Sequence, residues 1–366
     1  MLSVYYDFQI LLAQKYGGIS RYIYELVSRL PKFGATTEIN CIHNHNYYFS
    51  ERLGLYGTNS SKILRLAELG TFFYANKLKA FFDQRRRKYD IVHPTYYYAS
   101  RPKHGKFIVT VHDMTHEKYA GLYGMTKRVI AAKKSIIHQA DRIIAVSENT
   151  KRDILEYYPD VDPAKIVVIY HGASMSQQYS PSGKFRHMDG QKYILFVGAR
   201  GGYKNFTRFI EAMRKILDRR KDLHVFCAGG GAFNYEEQKN FGEYAGRIHQ
   251  GGLSDLELAD AYAGAECFVF PSEYEGFGIP ILEAFACSCP VVCSEASCFP
   301  EVAGKSAEYF DPLNPDDMAD KILGVLDDEA LRKKLIVSGR GRLKIFDWDK
   351  TAAETLKCYK EAMKND

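Results

Sequence analysis

Cys267 to Phe270 is an unbroken apolar run, closed by Pro271-Ser272 and followed by Glu273-Tyr-Glu-Gly-Phe-Gly-Ile-Pro280-Ile-Leu-Glu-Ala284. A short apolar run bounded by a breaker reads as a buried strand. Pro280 suits a first helical position, where the N–H it lacks has no intrahelical partner. The segment is therefore expected to be strand, glycine-rich loop and helix. Gly276 and Gly278 let the backbone come close to a ligand. The N–H groups of the loop and helix start favour an anion. Glu275 sits in the loop and Glu283 near the start of the helix. Carboxylates accept strong hydrogen bonds from hydroxyls, so this site suits a ligand with a phosphate and several hydroxyls.

The rest of the chain alternates in the same way. In the first half, strands are expected at 2–7, 38–42, 90–94, 107–112, 142–146 and 166–170. Helices are expected after Gly17-Gly18-Ile-Ser-Arg21, over 78–89 and 125–138, and from an N-cap at Ser147 to Tyr157. A polar stretch over 174–190 reads as a linker. In the second half, strands are expected at 192–198, 224–228, 248–252, 267–270 and 290–293. Helices are expected over 205–217, from the capping box Ser254-Asp-Leu-Glu257, and after Gly278. Beyond the last strand the pattern is helical, at 315–326, 329–340 and 348–364. Strands alternating with helices imply parallel sheets covered on both faces, and ligands at the carboxyl ends of the strands.

A length of 366 residues corresponds to about two domains. The expected division is 1–178 and 179–347, with 348–366 packing back on the first. Hydrophobic residues make up 46% of the chain, enough for full cores. No apolar run approaches the ~20 residues of a spanning helix. The first residues read as a strand rather than a signal peptide, so a cytoplasmic location is expected. Eight cysteines fit a reducing compartment. Cys287, Cys289, Cys293 and Cys298 cluster, but without paired C-x-x-C spacing or a nearby histidine; buried small residues are the better account than zinc. Asp160-Val-Asp162 and Asp347-Trp-Asp349 are read as turn and cap residues, not metal ligands. The net charge of +6 can serve phosphorylated substrates or anionic lipid. No recognition motif points to nucleic acid.

Glu275-Gly-Phe-Gly-Ile-Pro-Ile-Leu-Glu283 resembles the Glu-x7-Glu signature of the retaining family 4 glycosyltransferases. That resemblance implies a GT-B fold, with two Rossmann-like domains facing each other across a cleft. It implies that the nucleotide-sugar donor lies on the second domain. Glu283 would bind ribose hydroxyls, Glu275 the hydroxyls of the transferred sugar, and the backbone of Gly276, Phe277 and Gly278 sugar or phosphate. Arg200 and Lys204, in Arg200-Gly-Gly-Tyr-Lys-Asn205, resemble the family's pair on the donor phosphates. The chemistry needs cations there, because the leaving diphosphate gains charge as the glycosidic bond breaks. Gly229 and Leu253 resemble positions where the nucleotide meets backbone. Gly18 would face the diphosphate from the first domain, with Arg21 facing phosphate or solvent, and His112 of Thr110-Val-His112-Asp113 would line the site.

The resemblance further implies front-face substitution with the leaving phosphate as base, no metal and no other cofactor. Within the family, Tyr193 to Asn205 and Val111 to Glu117 resemble mannosyltransferases of surface polysaccharide and O-antigen assembly. GDP-mannose is the first donor expected and a growing, lipid-linked glycan the acceptor. Arg85, Arg86, Arg87, Lys88, Arg101, Lys103, Lys106, Lys127, Arg128, Lys133 and Lys134 make the first domain basic. They suit peripheral contact with an anionic membrane on its inner face. The competing readings are a nucleotide-sugar epimerase of the same fold and a non-catalytic glycan-binding relic. All of Lys204, Glu275 and Glu283 are present, which speaks against the relic.

Overall fold

The computed structural model describes residues 1–39, 41, 44, 46–52, 74–80, 82–83, 87–121, 126–173 and 182–364. Arg85, Arg86, Met125 and the expected boundary at 178 lie outside them. The chain forms two compact units, Met1–Gly172 with Trp348–Asp366, and Ala173–Asp347.

The first unit holds β1 (Leu2–Tyr6), β2 (Ala35–Ile39), β3 (Ile91–Val92), β4 (Lys106–Val111), β5 (Arg142–Ala145) and β6 (Ile166–Val168). They pair in the order β2-β1-β3-β4-β5-β6, all parallel. β3 is shorter than expected, because Pro94 has no N–H to give a ladder. The helix expected over 78–89 covers 74–80 and 82–83, and residues 87–90 are not helical. Ser147 caps Glu148–Tyr157 by accepting from the Thr150 N–H.

The last helix, Trp348–Lys364, belongs to this unit. Its buried Trp348, Ala352, Leu356 and Tyr359 recur at helical spacing and share a core with Tyr22, Ile23 and Leu26 of Gly18–Arg29. Thr351 donates its hydroxyl to the Tyr170 carbonyl at 2.7 Å. Gly172 lies so close to this helix that a Cβ there would stand 2.4 Å from the Trp348 nitrogen.

Among the described basic residues of this unit, Lys133 does not lie on a solvated face. Lys133 is buried, with Nζ 2.8 Å from Glu117 and 3.0 Å from the Asp113 carbonyl. A buried ammonium needs a partner charge, and its position on the core face of Thr126–Gln139 supplies one. Arg101 pairs with Asp141 and Arg87 with Glu38. Arg21, read as facing phosphate or solvent, is buried beside Glu25 and under the Tyr48 ring. Lys127, Arg128 and Lys134 are exposed.

The second unit holds β7 (Lys192–Val197), β8 (Leu223–Ala228), β9 (Ile248–Gly251), β10 (Cys267–Phe270), β11 (Val291–Ser294) and β12 (Glu308–Phe310). Their order is β12-β11-β10-β7-β8-β9, again all parallel. All of β10 and β11 is buried, as a strand covered on both faces must be. Phe206–Arg219 covers the sheet through Phe209, Ile210, Met213, Ile216 and Leu217, and Pro315–Asp327 adds Met318, Ile322 and Val325 to the same core. β12 interrupts what reads as a purely helical end, because three residues are too few to show alternation. Two short helices, Tyr235–Phe241 and Phe299–Ala303, are likewise silent in the sequence pattern.

The clustered cysteines are free, buried thiols. Burial pushes Cys287 up to about 12 and Cys293 above its usual range. Among the described residues no group of three His, Cys, Asp or Glu is placed to hold a metal ion, and no helix is long and apolar enough to cross a membrane.

Candidate functional site

In the second unit the strand order reverses direction between β7 and β10, which are adjacent in the sheet. In an open parallel sheet this switch point leaves a crevice beyond the carboxyl ends of the two strands. The β7 loop carries Arg200 to Asn205, and the β10 loop carries Pro271 to Gly278.

Three contacts lace these loops together. Asn205, at φ 59°, donates its side-chain amide to the Pro271 carbonyl at 3.1 Å and to the Pro312 carbonyl at 2.7 Å. The Glu273 N–H donates to the Tyr203 carbonyl at 2.8 Å. Lys204 Nζ then meets Glu275 Oε1 at 2.5 Å. Both side chains keep about a fifth of their surface or less, 20% and 17%. The pair is thus partly shielded from water but still reachable.

Glu275 is held from the far side as well. Ser297 Oγ donates to the Glu275 carbonyl at 2.5 Å and accepts from the Glu275 N–H at 3.2 Å. Cys298 Sγ donates to that carbonyl too, at 3.2 Å. Ser297 has φ 55°, a conformation that costs a side-chain-bearing residue energy.

Gly276 to Gly278 lead into the helix Ile279–Ala286, with Pro280 second rather than first in it. Gly278 has φ 90°, and a Cβ there would press on the Phe299 ring at 3.3 Å. The Phe277 ring is buried edge-on to Phe346, with centroids 5.7 Å apart. Its side chain anchors the loop. Glu283 is 8% exposed, with the buried Tyr262 hydroxyl 3.4 Å from its Oε2. Burial, then the Glu283 charge, hold the Tyr262 phenol well above its usual range, so it stays a proton donor.

Gly229, Gly230 and Gly231 follow β8 with φ of 87°, 73° and 76°. The Gly229 N–H donates to the Gly251 carbonyl at 2.9 Å. Leu253, half-buried, precedes Ser254, whose capping box with Glu257 opens Asp255–Gly264. Arg200, expected on the donor phosphates, is only 4% exposed at its side chain. Its guanidinium donates to Glu237 at 2.7 Å and to the carbonyls of Gly229, Gly231 and Ala232 at 2.8 to 3.0 Å.

Gly18 and His112 lie in the first unit. Gly18 is exposed and opens Gly18–Arg29. His112 directly follows β4, with its ring 5.2 Å from that of Tyr22 and 5.8 Å from that of His171. Burial lowers its imidazole to about 4, with Lys133 adding to the effect and Asp113 opposing it. The ring is therefore neutral near pH 7. Asp113 keeps its charge: burial works against it, but Lys133 and the Thr115 N–H hold it below the usual carboxylate range.

Residues 16–177 match the family model described as Glycosyltransferase Family 4, and residues 182–342 match Glycosyl transferases group 1. The chain belongs to the family 4 glycosyltransferases. The O-antigen chain mannosyltransferase B of Escherichia coli is 26% identical to this transferase, over 94% of this chain and 96% of the relative. The O-antigen chain mannosyltransferase RfbU of Salmonella typhimurium is 27% identical, over 82% and 84%. Among solved structures, Anabaena HepE in complex with UDP-glucose superposes with a TM-score of 0.73 at 16% identity, over 98% of this chain and all of that one. The fold of the transferase is GT-B.

Within the second unit, the glycosyltransferase brings Lys204 and Glu275 into contact, with Glu283 on the helix that starts from the same loop. Arg200 is drawn instead into the β8 loop. Asn205, Ser297, Glu237 and Tyr262 do structural work at the site that the sequence did not announce. Asn205 carried a signal, an Asn directly before a helical run, which tolerates a left-handed φ. The other three act through contacts made only in the folded chain.

Proposed function

We propose that this glycosyltransferase transfers a hexose, with retention, from a nucleotide-sugar to a growing surface glycan, and that its donor is GDP-mannose. The observation that carries the reading is the Lys204–Glu275 pair at the switch point of the second sheet. An ammonium has three N–H donors, so Lys204 can keep Glu275 and still meet a diphosphate oxygen. As the glycosidic bond breaks, the leaving diphosphate gains charge that Lys204 is preset to stabilise. Glu275 accepts hydrogen bonds from hydroxyls of the sugar, Glu283 from those of the ribose, and the N–H groups of Gly276 to Gly278 receive sugar or phosphate. With a lysine in the cation's role, the transfer proceeds without a metal or other cofactor. The leaving phosphate itself takes the proton from the acceptor hydroxyl.

HepE's complex with UDP-glucose supports a nucleotide-sugar donor, and the two O-antigen mannosyltransferases support mannose and a polysaccharide acceptor. Exposed Lys127, Arg128 and Lys134 suit contact with the anionic inner membrane face, where a lipid-linked acceptor would sit. Failure to bind anionic vesicles at low salt would remove that element. The central test is a thermal-shift screen against GDP, UDP, dTDP and ADP and their common sugars. Ligand at ~100 times Kd stabilises by about 2.7 kcal/mol, a clear shift. A shift with GDP and GDP-mannose alone is expected. A shift with a different base would replace the donor, and no shift with any would overturn the nucleotide-sugar reading.

A further inference from the structure

We infer that Arg200 is a positioning residue: together with Glu237 it holds the glycine loop after β8 in its ligand-receiving shape, leaving Lys204 as the β7-loop cation that meets the donor diphosphate. The inference rests on the donor-site reading above and assigns Arg200 and Glu237 a different task from phosphate binding.

Most of the guanidinium N–H groups are turned to the protein. Nε donates to Glu237 Oε1 at 2.7 Å, one terminal nitrogen to the Gly229 carbonyl at 2.8 Å, and the other to the Gly231 and Ala232 carbonyls at 2.9 and 3.0 Å. Its Cζ lies over the Phe233 ring, 4.7 Å from the centroid, and over the Phe206 ring at 5.7 Å. A planar fork with aromatic stacking is a task for arginine that lysine does not reproduce. A charge so deeply buried needs a counter-charge, and Glu237 supplies it. Glu237 is itself fixed, because its Oε2 accepts the Asn234 N–H at 2.8 Å in the capping box of Tyr235–Phe241.

The loop needs such a clamp. Three successive glycines, all with positive φ, form the segment with the most backbone freedom to lose on ordering. Arg200 draws the carbonyls of Gly229, Gly231 and Ala232 inward. In a trans peptide the N–H points opposite to the C=O, so the N–H groups of Gly230, Ala232 and Phe233 point away from the guanidinium. The space beside Arg200 is also closed to substitution, since a Cβ on Gly230 would stand 2.4 Å from the guanidinium.

The test compares R200K, E237Q and K204A in the full chain, with two readouts. E237Q keeps an oxygen for the Asn234 cap while removing the charge, and circular dichroism verifies folding of each variant. The first readout needs no ligand: amide hydrogen exchange of Gly229, whose N–H is bonded to the Gly251 carbonyl, is expected to speed up ~10-fold or more in both R200K and E237Q, with no further gain in the double variant. The second is steady-state kinetics with GDP-mannose, or with whichever sugar of the screened nucleotides is the donor. R200K and E237Q are expected to raise donor KM ~10-fold with kcat within about twofold, whereas K204A lowers kcat. Unchanged exchange in a folded E237Q variant would overturn the inference. So would a fall of kcat in R200K that E237Q does not share, the signature of an arginine on the phosphates. A wild-type protein that binds none of the nucleotides would sink the donor reading instead, while the exchange result still decides the clamp.

Discussion

Lys204 Nζ and Glu275 Oε1 lie 2.5 Å apart, joining loops from β7 and β10, strands adjacent in the sheet with β8 and β9 between them in the chain. Neither residue is paired by local sequence; the order of strands makes them neighbours. The contact has a direct consequence for turnover. Lys204→Ala is expected to cut kcat ~100-fold or more, the scale of a lost transition-state charge contact. Glu275→Ala is expected to abolish transfer in a chain that still folds. Product formation at the wild-type rate by a folded variant of either residue would move the chemistry elsewhere.

Asn205 serves twice, by its left-handed φ of 59° and by its amide bonds to Pro271 and Pro312. Two substitutions separate these tasks. Asn205→Gly keeps the backbone conformation and loses the bridge; Asn205→Ala loses both. Two carbonyls would lose their donor in either case, a cost of about 1–3 kcal/mol, and alanine adds the strain of a positive φ. Urea unfolding is expected to rank wild type above glycine and glycine above alanine. Equal stability of the two variants would show that the backbone term is negligible.

Gly172 sits under the start of the last helix, where a Cβ would be 2.4 Å from the Trp348 nitrogen and 2.5 Å from the indole Cγ. Backbone cannot retreat as a flexible side chain can. Gly172→Ala is expected to cost about 1–3 kcal/mol, the range of an overpacked site, by lifting Trp348 from its core. The indole fluorescence reports it directly, since this is the only tryptophan in the chain. A wild-type emission spectrum and unchanged unfolding midpoint would refute it.

His93 lies in a buried hydrogen-bonded chain, with Nδ1 2.6 Å from the Tyr359 hydroxyl and Nε2 2.9 Å from that of Thr110. Burial, aided by His112, lowers it to about 3. Below pH 6.5 the unfolded chain takes up a proton there that the folded chain refuses. Stability from this group is therefore complete above pH 6.5 and is lost as the pH falls toward 3. At pH 5 the loss is about 2 kcal/mol from this histidine alone, and His112, at about 4, adds loss of the same sign. Denaturant titrations at pH 7 and pH 5 should show this fall, and His93→Gln should shrink the difference. A flat profile over that interval would mean that His93 titrates as in the unfolded chain.

Much of the fold is legible in the sequence. Cys267 to Phe270 is apolar throughout because a central parallel strand is buried on both faces, and the ends of the apolar run are the ends of the strand for that reason. The Ser254 capping box and the Ser147 cap were equally plain, since each is a local bond between residues three apart. The helix Trp348–Lys364 stood out by its spacing of apolar residues. β12 and the two short helices were not legible, being too brief for a period to show. The charge pattern also misled at Lys133. Its place among basic residues suggests a solvated face, but the helix turns it inward to Glu117.

By itself the sequence determined the two alternating α/β halves, the strand–loop–helix unit around Glu275, and the family that this unit marks. Those properties depend on contacts along a strand, a turn of helix or a cap, where residues close in the chain decide the outcome. Only the tertiary structure decided which distant groups meet. It set Lys204 against Glu275, pinned the Glu275 backbone with Ser297, and turned Arg200 away to Glu237 and the glycine carbonyls. A guanidinium goes where buried carbonyls and a carboxylate leave room for its fork. That room is made by the packing of β7, β8 and their loops, not by any residue beside it in the chain.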